Sequence, residues 1–347
     1  MDNLKPIQKS ESPPLSSKTE KRVQGILKAG TAENTRLAYS RDLEYFQAWA
    51  RFAFGRKPAL PFHPDLLVQF VTDHLGGLDE EVDKQLVAEG LKAKPGPHSP
   101  NTVKRRLAAL SVAHDAAGVQ NPCRRPEVRL LLSKARKARV KAGMGPRKKR
   151  AATLDLIEAL LSTCVDETAD IRDRALIAVG FASGGRRRSE LENMTLENLV
   201  EAPEGYVYTL PRSKTDQEGK GQHVPIIGRA ATYLEAWLYL ADIREGPIFR
   251  RVSKGGKVLA GGLSGYGIAK IIKKRAGLAG FNPDEFAGHS LRSGFITETG
   301  RQGRSLADAM AMSGHRSTAV ALDYHQAAAI ILNPCARVME REKEQEE

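Results

Sequence analysis

The amino-acid sequence predicts a mainly α-helical chain with one small β-hairpin, split into two domains by a basic linker. Three observations lead there. Apolar residues recur at helical spacing through much of both halves. Only residues 206–226 read as strand, turn and returning strand. Between the halves, the segment from Lys134 to Arg150 carries nine Lys or Arg residues and no acidic one, and Gly143, Gly145 and Pro146 interrupt it.

Residues 1–22 are polar and rich in Ser, Pro and Lys, the composition of a disordered tail rather than of a secretory signal. The first domain is expected over 23–133. Tyr39, Leu43, Phe46 and Ala50 follow the i, i+4, i+7, i+11 spacing of one helix face, with Trp49 beside them. A second helix is expected from His63-Pro64-Asp65 to Leu75. Ser99-Pro100-Asn101 predicts a helix start, with Ser as N-cap and Pro in the first turn. That helix places Val103, Leu107 and Leu110 on one face, has Lys104, Arg105 and Arg106 around it, and stops near Gly118. The linker is expected over 134–151, and the second domain with its C-terminal tail over 152–347. This domain opens with helices near 154–161 and 171–181. Tyr206 to Leu210 and His223 to Ile226 form the hairpin, and helices dominate from Ala230 onward.

The chain has 347 residues and is 41% apolar, enough for two buried cores. No apolar run reaches the length of a membrane span. Lys and Arg outnumber Asp and Glu by 54 to 41, a net charge of +13, so the expected partner is a polyanion, with nucleic acid ahead of an anionic membrane surface. Cys123, Cys164 and Cys335 are scattered and match no metal-ligand spacing. They read as small apolar residues of a protein in a reducing, intracellular setting.

Five signals follow one another in the second domain. Gly184-Gly185-Arg186-Arg187-Arg188-Ser189-Glu190-Leu191 joins two helices. Ser213-Lys214-Thr215 lies in the hairpin turn. Gly288-His289-Ser290-Leu291-Arg292-Ser293-Gly294 places His289 and Arg292 three residues apart on a helix. Ser313-Gly314-His315 precedes a short helix, and Tyr324 comes nine residues after His315. Together they suit chemistry at a phosphodiester. Two guanidinium groups can clamp its non-bridging oxygens. Phosphoryl transfer depends on charge stabilisation and positioning. The histidines can add a proton shuttle and a hydrogen-bond donor, and a lysine can protonate a leaving oxygen. A tyrosine can attack phosphorus and store the bond energy in a covalent ester, so that religation needs no nucleotide. Taken singly, each residue has an ordinary explanation: a surface arginine, a solvated hairpin lysine, a packing tyrosine. Their fixed order is what points to a site. No phosphate-binding loop or acidic metal cluster accompanies them, so neither cofactor nor metal is expected.

On these motifs the second domain resembles the catalytic domain of the tyrosine recombinase, or phage integrase, family, and the first resembles that family's helical core-binding domain. The two-domain layout is most like the Cre and Xer type. The resemblance covers roughly Thr31 to Arg337. It implies a C-shaped clamp on duplex DNA, a site of inverted-repeat half-sites, a homotetramer on two such sites, a 3′-phosphotyrosine intermediate and a Holliday junction. It implies action inside the cell, in the cytoplasm with the nucleoid if the source is prokaryotic. The frame Arg-x-Ser-Glu-Leu assigns the first catalytic arginine to Arg187, so that Arg186 and Arg188 should matter less, and Glu190 to the supporting acid. Lys214 matches the hairpin lysine that protonates the leaving 5′ oxygen, with Lys220 as runner-up. His289 and Arg292 match the His-x-x-Arg pair, His315 a position occupied by His or Trp, and Tyr324 the nucleophile. Thr35, Arg36, Arg41, Lys104, Arg105 and Arg106 are candidates for DNA contact. The tail after Tyr324, apolar from Ala327 to Leu332, needs a place to bury: its own domain or, as the resemblance to the Cre type implies, a neighbouring protomer. A type IB topoisomerase-like enzyme and a DNA-binding protein with an unused site are the alternatives.

Overall fold

The computed structural model describes Gly30 and residues 33–145, 149–211 and 221–329. The tail expected over 1–22, Lys214, Lys220, Cys335 and the segment from Ile330 onward lie outside the described residues. The chain divides into two compact units, Met1–Pro146 and Arg147–Glu347.

The first unit is helical: α1 (Glu33–Phe54), α2 (Pro64–Gly76), α3 (Glu80–Ala88), α4 (Pro100–Ala116) and α5 (Pro126–Lys141). The helix starts follow local chemistry. The His63 ring accepts the Asp65 N–H at 3.3 Å, and Ser99 Oγ accepts the Thr102 N–H at 3.1 Å, each just before a proline. Tyr45, Phe46, Trp49, Phe70 and Leu110 pack into one core. Within it the buried His74 donates from Nδ1 to Phe70 O at 2.6 Å, and the Tyr45 hydroxyl lies 2.9 Å from its Nε2. Burial pushes this imidazole down to about 3, so it stays neutral.

Two expectations change here. The basic run is helical as far as Lys141, because Val128, Leu131 and Leu132 seat α5 on the core and the first breaker is Gly143. Residues 134–141 are therefore helix rather than linker. Arg106 is only 6% exposed. Its guanidinium lies 3.2 Å from the centre of the Tyr45 ring and pairs with Asp42, which also binds Arg105. It cannot serve as a groove or phosphate contact in this arrangement. Thr35 is half-buried, while Arg36, Arg41, Lys104 and Arg105 are exposed.

The second unit begins with α6 (Leu154–Ser162), α7 (Thr168–Ala182) and α8 (Arg188–Glu192). An antiparallel sheet follows in the order β1 (Leu199–Ala202), β2 (Gly205–Leu210), β3 (Gln222–Ile227). Tyr208 opposes Val224 and Tyr206 opposes Ile226, so the period of two sends Tyr208, Leu210, Val224 and Ile226 into the core. After α9 (Arg229–Leu240) comes a second antiparallel pair, β4 (Arg250–Val252) with β5 (Val258–Gly262). The unit closes with α10 (Gly265–Leu278), α11 (Ser290–Arg301), α12 (Leu306–Ser313) and α13 (Thr318–Ala329). The expected hairpin is β2–β3; β1, β4, β5 and α3 are additional. Among the described residues no helix is long and apolar enough to cross a membrane.

One charged network lies inside this unit. Arg275 on α10 donates to Asp173 at 2.7 and 2.9 Å, to Thr163 O at 2.8 Å and to Asp170, and Arg172 donates to the other Asp173 oxygen at 2.7 Å. Arg275→Ala would leave Asp173 buried beside too few donors, and is expected to destabilise the unit by about 3–5 kcal/mol. Arg301→Ala, at an exposed pair with Asp155, should cost less than about 1 kcal/mol. Urea unfolding followed on Trp237, which is buried in the same unit, separates the two outcomes.

Candidate active site

The site is built where the α7–α8 turn meets α11. Helix α7 is buried on most sides and ends at Ser183, Gly184 and Gly185. Gly185 has φ +68°, and a Cβ there would lie 2.4 Å from Arg292 Cα. Only glycine lets the turn take that conformation and lie directly on the α11 backbone. The contact brings the first arginine motif beside the second.

Arg187 is the N-cap of α8. Glu190 accepts its backbone N–H at 3.0 Å and its Nη1 at 2.5 Å, so one carboxylate caps the helix start and holds the arginine side chain. The Arg187 side chain stays 19% exposed. Arg186 turns the other way and is 2% exposed, with Nη2 donating to Met312 O at 2.5 Å and Nη1 lying 3.8 Å from Glu190. Arg188 is exposed. Of the three consecutive arginines, Arg187 therefore combines a fixed position with access to solvent. Arg186 ties the α7–α8 turn to the end of α12.

On α11, Arg292 is 5% exposed. Its Nε donates to His315 Nε2 at 3.2 Å and its Nη1 to Gly185 O at 3.4 Å, while its Nη2 is buried with no hydrogen-bond partner among the described residues. Burial and Arg187 lower its pKa to about 10, against the opposing pull of Glu190, and the guanidinium remains charged at neutral pH. His289 sits at the N-cap of α11 and is exposed, one position outside the helix that the motif suggests, because regular helix begins at Ser290.

His315 follows the left-handed Gly314 that ends α12. Its Nδ1 lies 2.7 Å from Ser313 Oγ. Gln222, at the start of β3, donates to Ala311 O at 2.7 Å and Met312 O at 3.3 Å, so strand and arginine turn hold the same carbonyl. Arg186 and Gln222 are positioning groups that sequence reasoning missed. Both act through a backbone carbonyl, which leaves no motif to find. Tyr324 is half-buried on α13, and α13 packs on α11. Gly300 permits that approach: a Cβ there would lie 2.4 Å from His325 O. His325 itself donates to Arg304 O at 2.8 Å. Arg187, Glu190, Arg292 and His315 thus form one cluster, and Tyr324 rides on a helix packed against its base. Lys214, the expected acid, lies outside the described residues.

Burial, and then Arg292, Arg187 and Arg186, push the His315 imidazole down to about 4, with Glu190 opposing. It is neutral at physiological pH. An unfolded chain protonates this ring near pH 6.5 and the folded chain only near 4, so between these values the unfolded state binds the extra proton. His315 therefore contributes stability that is present above about pH 6.5 and is lost as pH falls toward 4. Histidine-selective NMR should show the ring neutral at pH 5.5; titration near 6.5 would contradict the burial described here.

Comparison with known proteins agrees with this arrangement. Residues 151–329 match the phage integrase family. The chain is 33% identical over 312 residues to the integrase/recombinase xerD homolog of Selenomonas ruminantium, covering 87% of this chain and 83% of that one. Among solved structures, the Tn1549 transposon integrase (residues 82–397) in complex with circular intermediate DNA superposes with a TM-score of 0.57 at 15% identity, over 93% of this chain and 98% of that one. A lambda integrase (75–356) dimer bound to a COC′ core site gives 0.55 at 16% identity, over 88% and 93%. At these identities the structures speak for the fold. The chain belongs to the phage integrase family, the family of tyrosine-type site-specific DNA recombinases.

Proposed function

We propose that this chain cleaves and rejoins duplex DNA at a specific site through a transient bond between Tyr324 and the 3′ phosphate. The observation that carries the reading is the pairing of Arg187 and Arg292. They come from different elements, are held by Glu190 and His315, and include one buried guanidinium nitrogen without a hydrogen-bond partner among the described residues. A phosphodiester oxygen is the group that would satisfy it. The Tyr324 hydroxyl attacks phosphorus, the bond from phosphorus to the 5′ oxygen breaks, and the phenolic proton passes to a base, with His289 as the candidate. Lys214 supplies a proton to the departing 5′ oxygen. Religation is the reverse, with the 5′ hydroxyl attacking the phosphotyrosine, so no external energy source enters.

The lambda and Tn1549 integrases were solved on DNA, and the net charge of +13 suits the same partner here. Arg36, Arg41 and Lys104 are the exposed candidates for backbone contact, with Thr35 beside them and Arg105 partly committed to Asp42. The exposed Lys134, Arg136, Lys137 and Lys141 of α5 extend the basic surface. Four protomers on two inverted-repeat sites, exchanging strands in pairs through a Holliday junction, complete the proposal.

Tyr324→Phe is expected to abolish the covalent adduct on a nicked substrate while binding persists; an adduct mapped to another residue would refute the assignment. Arg187→Ala and Arg292→Ala should each slow cleavage by about 100-fold or more, and Arg188→Ala far less. Lys104→Ala or Arg36→Ala should weaken binding to all sequences alike and reduce the salt dependence by about one counterion each. A gel-shift series from low to moderate salt measures it.

A further inference from the structure

We propose that Arg188 binds the DNA phosphate next to the cleaved one, so that it sets the register of the strand while Arg187 and Arg292 act on the reacting phosphorus. The inference rests on the cleavage reading given above and gives a function to an arginine that the motif frame leaves spare.

An arginine on a helix surface usually finds a carboxylate three or four positions away. For Arg188 that group is Glu192. Glu192, however, accepts the Gly265 N–H at 2.9 Å and so ties α8 to the start of α10. Among the described residues the Arg188 side chain makes no hydrogen bond or ion pair, and it is exposed. Arg186 and Arg187, by contrast, both lie against Glu190. Of the three consecutive cations, one is open to a group outside the chain.

Two glycines set the direction of that side chain. A Cβ on Gly265 would lie 3.5 Å from Arg188 Cβ, and a Cβ on Gly288 would collide with the Cγ, Cδ and Nε of the arginine. The stem therefore runs over bare backbone, and Gly288 is the residue before His289. The charged end lies beside the candidate base and comes from the residue after Arg187. A stem already laid in place has less freedom to lose when its head binds. DNA that puts its cleaved phosphate on Arg187 and Arg292 carries the next phosphate of that strand about 3.4 Å further along the helix axis. Consecutive Cα atoms are about 3.8 Å apart, the same scale. A guanidinium suits that phosphate because its paired N–H groups match two oxygens. The contact lies off the reacting phosphorus, so its loss costs affinity and placement more than the rate of the chemical step.

The test uses the full chain and a duplex isolated from a random-sequence library by binding to the wild type. Each phosphate is replaced in turn by a neutral methylphosphonate, and gel shifts measure binding of the wild type, Arg187→Ala, Arg188→Ala and Arg188→Lys. The phosphate whose neutralisation weakens Arg187→Ala least relative to the wild type marks the clamp. Arg188→Ala is expected to bind the unmodified duplex about tenfold more weakly, as for one charge-assisted hydrogen bond. Its salt dependence should fall by about one counterion. Neutralising one phosphate beside the clamp, on the same strand, should weaken the wild type by the same factor and Arg188→Ala hardly at all. Arg188→Lys should keep the salt dependence and recover part of the affinity. In single-turnover cleavage by Arg188→Ala, the DNA concentration for half-maximal rate should rise by the same factor, with far less effect on the rate at saturation. Wild-type affinity in Arg188→Ala overturns the proposal. So does an equal response of both proteins to every methylphosphonate, or coupling to a phosphate remote from the clamp. The binding scan needs no cleavage. The expected coupling in a protein that forms no adduct would therefore refute the cleavage reading and leave the Arg188 contact standing.

Discussion

Three guanidinium groups, those of Arg186, Arg187 and Arg292, are gathered around the single carboxylate of Glu190, and the rest of the catalytic unit is arranged to tolerate that excess of positive charge. Like charges brought together in a half-buried site repel one another, and burial removes the water that would screen them. Glu190 offsets part of this by binding Arg187 through both backbone and side chain. His315 contributes by staying neutral, because a further positive charge there would face all three arginines. What remains is a preorganised deficit of negative charge, which an anionic phosphate would complete.

The cluster can exist only because backbones come unusually close. Gly185 lays the α7–α8 turn on Arg292, and Gly300 lets α13 settle on α11 beside Tyr324. Helix α11 is the common support: it carries Arg292 and presents His289 at its start, and it seats the helix of the tyrosine. Met312 O then joins the pieces from the opposite side, since Arg186 and Gln222 both donate to it. The sheet and the arginine turn are thereby tied to the segment that holds His315.

The helical unit sorts its cations by the same physics. Arg106 is drawn inward because Asp42 and the face of Tyr45 compensate its burial, whereas Lys104, on another face of the helix, stays exposed. A run of adjacent basic residues on a helix thus divides into a packing group and a surface group. The α5 residues show the complementary case, a basic stretch that helical propensity and three apolar contacts keep regular as far as Lys141.

Much was legible from the chain alone. The proline-led starts at Pro64 and Pro100, the apolar faces of α1 and α4, and the in–out alternation within β2 and β3 are local features, set by residues within a few positions of one another. The candidate residues could be named for a related reason: phosphoryl chemistry restricts which side chains can serve, and their order along the chain survives in the sequence. The short strands β1, β4 and β5 were not legible, because runs of three to five residues are too short to show a period of two; the inward turn of Arg106 was not, because its partners Asp42 and Tyr45 are distant in sequence. The same holds inside the site. The sequence by itself determined that Arg187, Glu190, Arg292, His315 and Tyr324 are present in a fixed order. Only the tertiary structure decided that Arg186 is buried as a strut while Arg187 stays accessible, that Gln222 joins it at one carbonyl, and that Ser313 Oγ lies 2.7 Å from His315 Nδ1. These are properties of distances between segments, and a linear pattern records no distances.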